Sequence, residues 1–310
     1  METREATVRG VAMRWTEAGQ GFPVVLIHGI PTSPALWRRV LPQVRGGHCL
    51  AFEMVGYGDS IPAGRDRDIS VARQADYLLG WLEQLRVERA VLVGHDLGGG
   101  VAQIAAVRAP QRCAGLVLAN SIAYDSWPIP SVRALRAARP VTGRLPMPAF
   151  KALLASLVAR GHDNPAIARE SLAVHLEPYR RQASAAALAW QVRWLRTADT
   201  LAVADGLRQL QVPARWCGAP STRSRSCPMG SGWPGICAAS CGASRGAGIS
   251  SPRTTPNGWP PPSTRSSAPW TRPADLARAG GAGRDRHQHP ALREQGTVRD
   301  RTTGSKRPIW

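Results

Sequence analysis

Residues 91–100 read VLVGHDLGGG, and the fold turns on how they are taken. VLVG, preceded by Arg89 and Ala90, has the length and β-branched content of a buried strand, and VAQIAAVRA after it carries apolar residues at helical spacing. Asp96 therefore sits on a tight strand-to-helix turn. The glycines on either side suit such a turn, because a sharp reversal leaves little room for neighbouring side chains.

Working outward, PVVLIHG (23–29), HCLAFEMVG (48–56), RAVLVGH (89–95) and GLVLANS (115–121) read as buried strands. SVARQADYLLGWLEQL (70–85) and GGVAQIAAVRA (99–109) are helical by period. This is a β-α-β-α-β ladder with glycines at the carboxyl ends of its strands, the grammar of an α/β fold with an open, mostly parallel sheet. From about 130 to 205 only helical patterns follow, separated by Pro, Gly and Asp-Asn turns. A helical block inserted after a strand reads as a cap over the strand ends, where ligands of such folds bind. The division expected is core over 1–128, cap over 129–205, a return to the core over 206–215, and an anomalous segment over 216–310.

The net charge of +19 does not point to nucleic acid. Residues 216–310 carry 14 basic and 4 acidic side chains, so about half of the excess lies in the last third. Arginine outnumbers lysine 38 to 2, the mark of a GC-rich coding sequence rather than of a phosphate-binding face. Four of the six cysteines, Cys217, Cys227, Cys237 and Cys241, fall at spacings that fit no zinc module. No cofactor and no metal is assigned. METREATVRG has no apolar core and no apolar run approaches membrane-spanning length, so a soluble, cytoplasmic protein with no membrane partner is expected. Oligomeric state is left open.

After VPAR (212–215) the grammar breaks. Residues 206–274 contain no Asp, Glu or Lys, and Pro, Gly, Ser, Arg and Cys dominate. Such a segment buries too little apolar surface to offset its chain entropy and reads as a disordered tail. It also reads as a shifted frame. Written in GC-rich codons and started one base earlier, WCGAPSTRSRS (216–226) becomes VVWGAVDPFQK, a strand ending in a loop carboxylate. GISSPRTTPNGWPPPSTR (248–265) becomes HLIPEDHPERVAAAINE, a histidine loop followed by a helix. Loss of one G near codon 215 would produce the whole segment and remove the last strands of the sheet, leaving an unpaired edge. Sequencing the gene through codon 215 checks this: a missing G restores an acid and a histidine, and an unchanged gene rules the shift out.

The motifs together resemble the α/β hydrolases, in particular the epoxide hydrolase and haloalkane dehalogenase branch with an aspartate nucleophile, over residues 1–215. Gly-His-Asp-Leu-Gly-Gly (94–99) is similar to the nucleophile elbow. His-Gly-Ile-Pro (28–31) resembles the family's HGxP segment, and EMVGYGDS (53–60) its next loop, with Glu53 where Asp is usual. The resemblance implies that Asp96 is the catalytic nucleophile and that the backbone N–H groups of Ile30 and Leu97 form the oxyanion hole. It also implies that His28, Pro31, His95, Tyr124 and Tyr179 line the substrate site.

A carboxylate needs no base to displace a leaving group at an sp³ carbon, giving an alkyl ester. In the family a histidine, oriented by a third carboxylate, then activates water. Leu97 and Ile30 stand where dehalogenases hold halide with Trp and often Asn, which favours epoxide hydrolysis of a small apolar substrate. Of Tyr57, Tyr77, Tyr124 and Tyr179, the last two are the expected acids toward the epoxide oxygen, and Asp125 is a substitute orienting acid. His287 and His289 occupy no family-like loop, so the chain as written is expected to be impaired in turnover. The alternatives are a haloalkane dehalogenase, a carboxylic-ester hydrolase, and a non-catalytic protein that binds a small ligand.

Overall fold

The computed structural model describes residues 1–182 and 184–217. Their sheet has seven strands in the order β1-β2-β4-β3-β5-β6-β7. The strands are β1 (Glu2–Val8), β2 (Val11–Ala18), β3 (Phe22–Ile27), β4 (Gly47–Phe52), β5 (Ala90–His95), β6 (Cys113–Ala119) and β7 (Ala214–Cys217). From β4 through β7 every neighbouring pair is parallel, with Ile27 opposite both Phe52 and Gly94. The crossover helices expected between them are α1 (Val71–Gln84) and α2 (Leu97–Arg108). Ser70 caps α1 by accepting from the Arg73 amide.

The amphipathic face of α1 places Leu78, Trp81 and Leu82 in the core. Trp81 stands edge-on to Trp15 at 5.5 Å between ring centroids and tilts over Phe52 at 5.0 Å. Full burial of an aromatic ring of this kind contributes about 2–3 kcal/mol. Helix α2 has no polar face: Leu97 through Ala106 are all buried. It lies so close to the sheet that a Cβ on Gly98 would sit 2.2 Å from the Ile27 carbonyl oxygen.

Two parts differ from the sequence expectation. The β1–β2 hairpin, paired antiparallel from Glu2↔Glu17 to Val8↔Val11, was not expected from ETREATV, because β1 is exposed almost throughout and shows no buried alternation. The return segment forms a short helix over Ala204–Gln209 and then β7, which pairs with β6 and runs to Cys217, two residues beyond the expected break.

Between β6 and β7 the chain forms α3 (Pro130–Ala137), α4 (Arg139–Thr142), α5 (Met147–Ala159), α6 (Pro165–Arg181), α7 (Ala186–Arg193), α8 (Thr197–Leu201) and α9 (Ala204–Gln209). Polar contacts fasten this block to the core: Glu170 to Arg38 and Arg39, Gln191 to the Gly56 carbonyl, and Thr200 to the Tyr124 carbonyl. No helix among the described residues is long and apolar enough to cross a membrane. The out-of-frame, disordered tail expected from 216 onward lies, after Cys217, outside the described residues, as do His287 and His289.

Candidate active site

The loops that follow β3, β4, β5 and β6 all open at the carboxyl ends of the parallel strands, and Asp96 stands at their centre on the β5–α2 turn. Its backbone is held at φ 51, ψ −118. A non-glycine residue in that region is strained by about 1–3 kcal/mol and persists only where its surroundings over-determine it. Here the amide N–H of Asp96 donates to the Ala119 carbonyl, and the Asp96 carbonyl accepts from Gly99 and Ile122. Close approach does the rest. A Cβ on Gly94 would lie 2.4 Å from the Gly98 carbonyl oxygen, and one on Gly99 would lie 1.9 Å from Ser121 Oγ.

The turn aims the carboxylate at the loop after β3. The backbone N–H of Ile30 donates to Asp96 Oδ2 at 3.0 Å, and the N–H of Leu97 also hydrogen-bonds the carboxyl group. Burial pushes the Asp96 pKa above the ordinary aspartate value, against the opposing pull of His95 and of these two amides. Gly29 is required by the packing, since its Cβ would come within 2.5 Å of Asp96 Oδ2. Gly29→Ala should therefore displace the carboxylate and slow any reaction at Asp96 by about 10²-fold, the scale expected of an ångström of misplacement. Single-turnover kinetics of the variant check this, and an unchanged rate would mean that the carboxylate works from another position.

The remaining candidates divide by what their polar atoms already do. His28 is fully buried; its Nδ1 faces the Gly29 carbonyl at 2.9 Å and its Nε2 accepts from the Met54 amide at 3.1 Å. Both nitrogens brace the loops, and burial lowers its pKa to about 3. His95 is also held below its ordinary value by burial, and its Nδ1 has no partner among the described residues. Pro31 is half-buried beside Ile30. Tyr124 adopts φ 49 in the loop after β6 and is half-buried against the core, whereas Asp125 is exposed. Tyr179, on α6, is buried and packed on Phe150; its hydroxyl donates to Gln191 Oε1 at 2.7 Å. Gln191 in turn donates to the Gly56 carbonyl at 2.8 Å. The expected acid is thus already engaged.

Three residues of the site carried no sequence expectation as binding or catalytic groups. Tyr57 is buried, and burial raises its pKa first, with Tyr179 and Asp96 adding to the shift; its hydroxyl has no hydrogen-bond partner among the described residues. Its signal was its place in EMVGYGDS. His175 on α6 contacts Ser33 Oγ through Nδ1 at 3.3 Å, and burial lowers its pKa to about 4. No motif marks this cap position. Glu53 accepts from both the amide and the hydroxyl of Ser60 at 2.7 Å, and burial raises its pKa to about 7. It lines a cleft of about 480 Å³ with Ser33, Asp59, Glu177 and Arg181, the last bound to Asp59 at 2.5 Å. No cluster of three or more metal-binding side chains occurs among the described residues.

Comparison with known proteins agrees with the fold. The family model described as alpha/beta hydrolase fold matches residues 23–176. A 2-hydroxymuconate semialdehyde hydrolase of Pseudomonas sp. is 38% identical over 133 residues, 41% of this chain and 45% of its own. A haloalkane dehalogenase of Mesorhizobium japonicum is 36% identical over 118 residues, 37% of this chain and 38% of its own. The chain thus spans less than half the length of these relatives. Among solved structures, an α/β hydrolase fold protein of Burkholderia ambifaria superimposes with a TM-score of 0.59 at 24% identity, covering 69% of this chain and 79% of that one. The epoxide hydrolase CorEH superimposes with a TM-score of 0.54 at 21% identity, covering 70% and 81%.

Proposed function

This chain is an α/β hydrolase by fold, and from that premise we propose that it opens small apolar epoxides through an alkyl ester on Asp96. One observation carries the reading: a carboxylate, not a hydroxyl, occupies the strained turn, with its Oδ2 accepting from Ile30 N–H at 3.0 Å. Holding Oδ2 on the Ile30 amide orients Oδ1 for attack. Oδ1 forms a bond to a ring carbon, the carbon–oxygen bond of the epoxide breaks, and its electron pair stays on the oxygen. That oxygen then takes a proton from an acid. Tyr57 and Tyr179 are the acids available, Tyr57 being unengaged and Tyr179 needing to leave Gln191 first.

Hydrolysis of the ester needs a base for water. Among the described residues the histidine–carboxylate pair is His48 with Glu17, 2.5 Å apart at the opposite end of β4 from Asp96. The ester is therefore expected to form faster than it is hydrolysed. Intact mass after incubation with an aryl epoxide tests this: a persistent adduct that maps to Asp96 is expected, formed about 10²-fold more slowly by Tyr57→Phe. Reversible binding with no adduct would instead establish a non-catalytic ligand site.

A second reading, haloalkane dehalogenation, is favoured by the dehalogenase at 36% identity. It would leave the same kind of ester with release of halide. Leu97 and Ile30, apolar at the expected halide positions, stand against it.

A further inference from the structure

The cap between Ser126 and Arg160 contains no Asp, Glu, Asn or Gln, yet carries Arg133, Arg136, Arg139, Arg144, Lys151 and Arg160. Helices α3 and α4 pack on α7, so their free sides look away from it. On those free sides Arg133, Arg139 and Arg144 are exposed among alanines and prolines, and Ile129 and Val141 are 53% and 68% exposed. Elsewhere several arginines are paired, Arg38 with Glu170, Arg108 with Asp76 and Arg181 with Asp59, and the unpaired ones such as Arg45, Arg65 and Arg86 lie scattered along the chain. Among the described residues no carboxylate pairs with Arg133, Arg139 or Arg144.

Such a face combines uncompensated positive charge with apolar side chains left in water. Anionic lipid head groups satisfy both at once: guanidinium groups meet phosphates while Ile129 and Val141 enter the boundary with the acyl chains. A polynucleotide would satisfy the charge alone, because the face offers no amide side chain for base edges and no exposed aromatic ring for stacking. A second copy of the chain, at net charge +19, and residues 218–310, with 14 basic and 4 acidic side chains, both carry the wrong sign.

We propose that the α3–α4 face of the cap docks peripherally on an anionic bilayer surface. Docking needs no spanning helix, and it departs from the sequence expectation of no membrane partner. Its use, uptake of an apolar epoxide dissolved in the bilayer, rests on the function proposed above; the docking itself does not.

Co-sedimentation of the full chain with vesicles of phosphatidylglycerol and phosphatidylcholine in equal parts, and with phosphatidylcholine alone, tests the proposal. The chain should sediment with the first and remain in solution with the second. The triple variant Arg133→Glu, Arg139→Glu, Arg144→Glu should lose about tenfold or more in partitioning, with its far-ultraviolet circular dichroism unchanged. Ile129→Ser with Val141→Ser should weaken binding at both low and high salt. The proposal is overturned if the parent chain does not sediment, if the triple variant binds as the parent does, or if the apolar variant binds unchanged and heparin displaces the chain. Adduct formation with a dissolved epoxide is read separately in the same preparations, so failure of either idea leaves the other standing.

Discussion

Asp96→Asn should abolish adduct formation with an epoxide, lowering its rate by about four orders of magnitude or more, the scale of losing a nucleophile. The substitution keeps the volume of the side chain and an oxygen that can accept from Ile30 N–H, now at 3.0 Å from Oδ2. It removes the charge that makes the second oxygen a nucleophile. Because burial raises the Asp96 pKa, ionised Asp96 is a net cost to the fold, and the variant should unfold at a temperature no lower than that of the parent. Intact mass and thermal unfolding on the same samples separate a lost nucleophile from a lost fold. An adduct that survives in the variant would place the nucleophile elsewhere. The parent's own rate should fall on acidification, beginning at a pH above the ordinary aspartate range, as the carboxylate takes up its proton.

Glu53→Gln should make the chain more stable at about pH 8 and leave it nearly unchanged at about pH 4. The Glu53 pKa rises from 4.5 to about 7 on burial. Below about 4.5 the group is neutral in both states and costs nothing electrostatically. Between 4.5 and 7 the unfolded chain gives up this proton while the folded chain keeps it, so stability falls as pH rises, and the loss is complete above about 7. Its size is about 3 kcal/mol at 1.4 kcal/mol per unit. A glutamine carries no charge, and its oxygen can accept from the Ser60 amide and hydroxyl as Glu53 Oε1 does at 2.7 Å. Urea unfolding across this range should give a falling curve for the parent and a flatter one for the variant. A parent curve that rises with pH would show that Glu53 is ionised and satisfied in its cleft.

The parallel part of the sheet was legible because β3, β5 and β6 are apolar runs with few polar interruptions, and both crossover helices declare themselves by period. The elbow was legible for a different reason: Gly94, Gly98 and Gly99 are where backbone meets backbone or side chain within 2.4 Å of a notional Cβ, so the sequence records the packing as missing side chains. Strand β1 left no such record, since ETREATV is exposed from Glu2 to Glu5 and only Val8 is buried, although β2 did alternate, with Val11, Met13 and Trp15 buried.

The sequence by itself determined the tight, glycine-flanked strand-to-helix turn that carries Asp96, because that depends on local residues written in order; the nucleophile role of Asp96 and the facing amides of Ile30 and Leu97 came from the resemblance to the α/β hydrolases. Only the tertiary structure decided which of the other groups are free to act. His28 is spent on Gly29 and Met54, and Tyr179 on Gln191, 12 residues away on another cap helix, while the buried Tyr57 hydroxyl is left without a hydrogen-bond partner among the described residues. Glu53 gains its proton affinity from burial under α6. Hydrogen-bond partners and desolvation come from elements far apart in the chain, and no local pattern encodes them.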